Sequence, residues 1–309
     1  MDYRNLGRSG LKVSALGLGT WLTVGQSLNQ QQSRELVDSA VAAGVNHFDL
    51  ADAYGNGAAE RAFGELVKPL QRDALVIASK LFWPQSDDPN DCGLSRKHIR
   101  VSIERTLKNL QTDYLDIYYC HREDSSTPVE ETVWAMHDLI AQGKILYWGT
   151  SMWSDKTLKK ALAFAEQNSL HKPIVEQPPY NLLERWVEKK QRFYQHAGIG
   201  MVCWSPLAGG ALTGKYVNTM PVDSRGANTQ WLQEILTDGN NAKIAQFVSL
   251  AEQAGVAPAT LAISWLLKRN QVASVLLGAT SAEQLQQTLA AQEYDLPVDL
   301  DRQLSKLFA

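Results

Sequence analysis

The chain has 309 residues, 44% of them hydrophobic, and a formal net charge of −3 at pH 7. That is enough apolar material for one large core, and the near balance of charge argues against nucleic acid or an anionic membrane as the main partner. The three cysteines, Cys92, Cys120 and Cys203, are scattered and include no CxxC, which fits a reducing compartment better than a disulfide framework. The start of the chain has no apolar signal core and no long apolar run follows, so a cytoplasmic protein without membrane insertion is expected.

In chain order, Tyr3 to Leu6 and Lys12 to Ala15 flank Gly7-Arg8-Ser9-Gly10 and predict a hairpin. Eight short apolar runs follow: Leu16 to Leu18, His47 to Asp49, Leu75 to Ser79, Tyr114 to Tyr119, Ile145 to Thr150, Ile174 to Gln177, Gly200 to Trp204 and Ser274 to Leu277. Helical patterns fill the gaps. Gly44 suits a C′ position after Leu36 to Ala43. Ser95 caps a helix with Ile99, Ile103, Leu107 and Leu110 on one face. Pro128 opens a helix through about Gln142, and Pro258 opens another that carries Ala259, Ala262, Ile263, Leu266 and Leu267.

Eight strands alternating with helices predict an α/β fold with a parallel sheet. The rival is a doubly wound open sheet, but Gly17-Leu18-Gly19-Thr20-Trp21-Leu22 lacks the third glycine of its phosphate-binding turn. A single (β/α)8 TIM barrel over residues 1–309 is therefore expected, with the hairpin closing its bottom. The segment from Gly214 to about Asn241, which contains Pro221, Gly226 and Gly239, is expected to be a long functional loop.

Asp49, Tyr54, Lys80 and His121 each follow or end one of these runs. Parallel barrel strands point their C-terminal ends at one mouth, where such barrels place their active sites. A carboxylate, a phenol, an amine and an imidazole gathered there form a set for proton transfer. A phenol is a weak acid with an ordinary pKa of about 10. A nearby ammonium favours the phenolate, so Lys80 is expected to pull Tyr54 down, with Asp49 holding Lys80 in place and charged. His121 would donate to a carbonyl oxygen or relay a proton. The six histidines form no HxH or HExxH pattern, so no metal is expected.

With these residues in hand, the chain resembles the aldo-keto reductase superfamily over almost its whole length. Asp49-Leu50-Ala51-Asp52-Ala53-Tyr54-Gly55, the strand ending in Lys80, and Leu115-Asp116-Ile117-Tyr118-Tyr119-Cys120-His121 match its catalytic segments in order and spacing. Tyr147-Trp148-Gly149-Thr150-Ser151, Trp204-Ser205-Pro206-Leu207-Ala208 and Ser274-Val275-Leu276-Leu277-Gly278-Ala279 are similar to the branch that includes the voltage-gated potassium channel β subunits.

The resemblance implies carbonyl reduction with NADPH as cofactor and a small carbonyl compound as substrate; it also allows a homo-oligomer. Gly19, Thr20 and Trp21 would meet the nicotinamide end with Asp49, Ser151 and Gln177 would hold its carboxamide, and Trp204 would stack on its ring. Ser205, Pro206, Leu207, Lys215 and Arg225 would line the phosphates or ribose, the last two from a strap over the cofactor. Gly278, Thr280, Gln284, Gln287 and Thr288 would surround the adenosine. Trp21, Tyr54, Trp83 and His121 would face the substrate, and Trp153 and Trp231 are further candidates for an aromatic rim suited to apolar or aromatic carbonyls.

Four positions differ from one branch of the family or another. Met152 stands where many reductases have asparagine and the channel subunits arginine. His121 stands where the channel subunits resemble asparagine, which favours ordinary catalysis. Ala279 and Gln284 replace the lysine and arginine many members use for the 2′-phosphate, so NADPH over NADH rests on Lys215 and Arg225. Cys120 is expected to be an inert buried thiol. The alternative is a channel-like regulatory subunit that senses redox state through bound nucleotide. Against it, the chain starts almost at the hairpin, with no extension to block a pore.

Overall fold

The computed structural model describes residues 1–309 except 218, 221 and 223 and the side chain of Arg225. Strands β1 (Tyr3–Asn5) and β2 (Lys12–Ser14) form the antiparallel hairpin. The barrel strands are β3 (Leu16–Gly19), β4 (His47–Asp49), β5 (Val76–Leu81), β6 (Leu115–Cys120), β7 (Ile145–Thr150), β8 (Val175–Glu176), β9 (Gly200–Cys203) and β10 (Val272–Leu277). They pair in parallel in that order, and β10 closes back onto β3. This is the expected barrel, with most strand limits moved by one or two residues.

The alternation of side chains along each strand sets the layers. On β5, Val76 and Ala78 belong to the inner cluster, whereas Ile77 and Leu81 belong to the outer core beneath the helices. On β6, Ile117 and Tyr119 point in and Tyr118 and Cys120 point out. Continuing the same two-residue period, Lys80 and His121 are the next inward positions toward the C-terminal mouth. The chemistry-bearing residues are therefore the top layer of the barrel interior.

The hairpin plugs the opposite end. Leu6 and Val13 are fully buried in the inner cluster, each contributing about 1.5–3 kcal/mol if burial is complete. Gly7 is required there: it has φ +60°, and an added Cβ would sit 2.3 Å from the Gly198 carbonyl oxygen.

The outer helices follow the predicted signals. Ser95 accepts a hydrogen bond from His98 N at the start of Arg96–Leu110, and the predicted Ile99, Ile103, Leu107 and Leu110 are buried. Pro258 sits at the first turn of Pro258–Leu267, while Pro128 is the residue just before Val129–Ala141. Gly44 follows the helix Gln30–Ala42 with φ +84°.

The segment from 214 to 241 is not structureless, which corrects the sequence expectation. It contains short helices at Arg225–Asn228 and Gln230–Ile235, and Asp238–Gln253 begins within it. Ser224 caps the first by accepting from Ala227 N, and Leu232 buries itself in the second. Helices of four and six residues are too short to show a hydrophobic period.

Candidate active site at the barrel mouth

Lys80 is fully buried and its ammonium makes three hydrogen bonds. It donates to Asp49 Oδ2 at 2.5 Å, to the Leu50 carbonyl at 2.7 Å and to Tyr54 Oη at 3.0 Å. Adjacent registry brings Asp49 beside Ala78 on β5, two residues from Lys80. The turn after β4 then brings Tyr54 back over the mouth, with Tyr54 N donating to the Ala51 carbonyl. On the other side, Gln177 Nε2 donates to Asp49 Oδ1 at 2.7 Å. Both oxygens of Asp49 are thus occupied.

His121 lies edge-on to Tyr54, with ring centroids 6.0 Å apart and planes at 78°. Trp83, exposed at the rim, lies edge-on to His121 at 6.2 Å. The structure therefore brings Asp49, Tyr54, Lys80 and His121 together, with Trp83 beside them.

Burial governs the proton affinities. Tyr54 is raised above the usual tyrosine value because burial disfavours the phenolate more than Lys80 favours it. This reverses the expected net direction: Lys80 opposes the shift without overcoming it. Burial also works against the Lys80 ammonium, but Asp49 and then Tyr54 more than offset it, leaving Lys80 raised. His121 is driven well below its ordinary value by burial, then by Lys80 and Arg122. At neutral pH the site thus contains a neutral phenol, an ammonium and a neutral imidazole.

The predicted cofactor residues form an arc around the same mouth. Gly19 pairs with Asp49 across β3 and β4, and Thr20 donates through both N and Oγ1 to the Asp49 carbonyl at 3.1 and 3.0 Å. Ser151 Oγ donates to the Gln177 carbonyl at 2.8 Å, and Trp204 Nε1 reaches the same carbonyl at 3.3 Å. Ser205 has φ +56°, and its carbonyl accepts from Asn181 Nδ2 at 3.0 Å. Pro206 is buried and Leu207 half-buried just beyond. Lys215 is exposed, with no carboxylate partner among the described residues. The side chain of Arg225 lies outside the described residues.

After β10, Gly278 faces open space, and Thr280, Gln284 and Gln287 are exposed. Thr280 Oγ1 donates to Gln284 Oε1 at 2.8 Å, while Thr288 turns back to the Leu285 carbonyl of its own helix at 2.8 Å.

Trp21 and Trp83 are 45% and 40% exposed, and Met152 is 37% exposed. Trp231 is partly exposed and packs on Gly209. Trp153 is no rim residue: it is 2% exposed and belongs to the outer core. It follows Ser151 by two residues, but the chain turns at Met152, which has φ +60°. Cys120 is buried between barrel and helices and its thiol is raised well above its usual value by burial, as expected for an inert thiol. Among the described residues no group of three or more His, Cys, Asp or Glu is placed to hold a metal, and no helix is long and apolar enough to cross a membrane.

The architecture agrees with the comparisons. Residues 15–304 match the aldo/keto reductase family. The chain belongs to that family. It is similar to a protein of Oryza sativa subsp. japonica named "Probable voltage-gated potassium channel subunit beta", 43% identical over 94% of this chain and 91% of the relative. A protein of Arabidopsis thaliana with the same name is 42% identical over the same shares. This aldo/keto reductase is accordingly an oxidoreductase of a family that uses nicotinamide nucleotides, and it resembles the channel-subunit branch in sequence.

Sequence reasoning missed two residues of the mouth and one buried behind it. Arg122 follows His121 and reaches over the Trp83 ring at 5.6 Å. Asn181 holds the turn after β8, accepting from Leu183 N and Glu184 N while donating to Ser205. Glu176 is fully buried, accepts from Thr150 Oγ1 and from Trp153 N, and is pushed up to about 7, by burial above all. Its place before Gln177 was visible, but a strand pattern does not say which side its side chain takes.

Glu176 makes a pH prediction. The folded protein keeps a proton that the unfolded chain releases near 4.5, so stability falls as pH rises from about 4.5 to about 7. Glu176→Gln removes this term. Urea unfolding at pH 5 and pH 7 is expected to show the wild type losing about 2 kcal/mol relative to the variant across that interval. A parallel pH dependence would contradict it.

Met152 makes another. A non-glycine residue in the left-handed region is strained by about 1–2 kcal/mol, and asparagine tolerates it better. Because the Met152 side chain is partly exposed, Met152→Asn is expected to stabilise the fold by up to about 1 kcal/mol in urea unfolding. A lower midpoint would show that the methionine packs more than its exposure implies.

Proposed function

We propose that this chain reduces aldehydes or ketones to alcohols with NADPH, Tyr54 donating the proton. The observation that carries this reading is the Lys80 ammonium bonded at once to Asp49 and Tyr54 beneath an edge-on His121. Tyr54 stays protonated at neutral pH and so has a proton to give. As it gives that proton, Lys80 at 3.0 Å stabilises the charge left on the phenolic oxygen. Asp49 fixes Lys80 in position and keeps it an ammonium. The neutral His121 offers a hydrogen bond to the substrate oxygen without a competing charge. Asp49, Lys80 and His121 are buried around the half-buried Tyr54.

The donor set fits a phosphate-bearing nucleotide. Lys215 is a cation without a carboxylate partner among the described residues, and it lies close over Gly210. The turn before it runs through left-handed residues at Ser205, Ala208, Gly209 and Gly210, the kind of backbone conformation that anion-binding turns use. Ser151 Oγ has committed its proton to Gln177 and is left as an acceptor for a carboxamide N–H. Trp204 would stack on the nicotinamide, with Ser205 and Lys215 at the phosphates and Gly278 and Thr280 at the adenosine. Bound there, the reduced nucleotide would supply the hydride.

A second reading follows from the names of the relatives: a regulatory subunit that uses the same site to sense nucleotide redox state, with little turnover. The two separate on one assay. With reduced nucleotide and a panel of aldehydes, the reductase reading expects rapid loss of nicotinamide absorbance, faster with NADPH than NADH. Tight NADPH binding with no consumption across the panel, together with stable capture by a membrane channel, would move the assignment to the second reading.

A further inference from the structure

Arg122 stands at the mouth without a task in the scheme above. Its guanidinium lies 5.6 Å from the Trp83 ring, Trp83 lies 6.2 Å from His121, and His121 lies 6.0 Å from Tyr54. Its charge is felt at both His121 and Tyr54. A guanidinium has five N–H donors. Among the described residues one bond is made, from Nη1 to the His121 carbonyl at 2.5 Å.

Arg122 is half-buried, yet it makes no ion pair among the described residues. The acids next to it are committed elsewhere. Glu123 accepts from Ser154 N, Ser154 Oγ and Thr157 Oγ1. Asp124 accepts from Leu94 N, Ser126 N and Oγ, and Thr127 Oγ1. Glu176 is near enough to influence Arg122 but is held by Thr150 and Trp153. Partly burying a cation without a counter-charge costs free energy. A ligand anion at the mouth would recover that cost, and a guanidinium suits carboxylate and phosphate alike.

We propose that Arg122 makes this mouth selective for carbonyl compounds that carry an anionic group, a carboxylate or a phosphate, away from the reacting carbon. The proposal rests on the reductase reading and narrows its substrate class. It adds a charged end to the apolar or aromatic carbonyl expected from the tryptophans. Trp83 would cover the flat body of the substrate while Arg122 holds its charged end. Arg122 is then a specificity residue that does not take part in the proton transfer.

The test compares 4-carboxybenzaldehyde, its methyl ester and 4-formylphenyl phosphate in wild type, Arg122→Gln and Arg122→Lys. Glutamine keeps a donor for the His121 carbonyl and removes the charge. The wild type is expected to prefer an anionic aldehyde over the ester by at least about tenfold in kcat/KM. In Arg122→Gln that preference collapses toward unity, through a rise of about 10- to 100-fold in KM for the anion. Arg122→Lys recovers part of it. Whether the acid or the phosphate gains more identifies the anion.

Equal use of acid and ester by the wild type, or equal losses for both in Arg122→Gln, would overturn the proposal and leave the reductase reading standing. Consumption of none of the aldehydes would instead overturn the reductase reading. In that case calorimetric binding of terephthalate decides on Arg122: weakening of at least tenfold in Arg122→Gln supports anion recognition, and equal affinity refutes it.

Discussion

Tyr54→Phe is expected to lower kcat for aldehyde reduction by about 10²- to 10⁴-fold, the range for loss of a positioned general acid. The change removes one oxygen, whose hydrogen bond in the structure comes from Lys80 at 3.0 Å. Tyr54 is half-buried, and Lys80 keeps its bonds to Asp49 and Leu50, so the fold should lose no more than about 1 kcal/mol. Nucleotide affinity should change little, since the residues proposed to hold the nucleotide lie elsewhere on the arc. Steady-state kinetics, nucleotide fluorescence titration and urea unfolding measure the three terms separately. A fall in kcat with the other two intact identifies a residue acting on the reacting atoms. Unchanged turnover would remove Tyr54 from the chemistry.

Lys80→Met has the largest expected effect on stability, about 3–5 kcal/mol in urea unfolding. The ammonium is fully buried, and its removal leaves Asp49, only 3% exposed, without its cation. The Gln177 bond at 2.7 Å is then the remaining side-chain hydrogen bond to that carboxylate. Tyr54 Oη and the Leu50 carbonyl lose a donor as well. The cost arises mainly from the stranded charge, which gives a further check. Asp49→Asn combined with Lys80→Met removes both charges and should recover much of the loss, because replacing a whole buried pair is far cheaper than breaking it. Additive losses in the double variant would show that the pair's geometry, and not its charge balance, holds the mouth together. Activity should be lost in both variants.

The barrel was legible because its signals are local and repeated: eight short apolar runs alternating with helical segments. The set of Asp49, Tyr54, Lys80 and His121 was legible for the same reason, since polar residues at the ends of apolar strands point at one mouth. What failed to show depended on side-chain direction or on short elements. Trp153 is buried because the chain turns through a left-handed Met152. The helices at Arg225–Asn228 and Gln230–Ile235 are too brief for periodicity. The net shift of Tyr54 depended on how much burial outweighs a neighbouring ammonium, a balance of magnitudes that a sequence does not contain. Arg122 was passed over because its importance lies in which acids do not pair with it, and only the structure shows where Glu123 and Asp124 turn.

The most direct measurement of the central claim is isotope transfer. NADPH carrying deuterium at the transferable position of nicotinamide C4 is incubated with the protein and an aldehyde, and the alcohol is analysed by mass spectrometry and NMR. Reduction at this site predicts one deuterium on the former carbonyl carbon, formed in step with nucleotide oxidation and suppressed by Tyr54→Phe. Nucleotide oxidation without labelled alcohol, or no oxidation despite tight binding, would contradict the account and leave a nucleotide-binding protein whose barrel mouth does not reduce carbonyls.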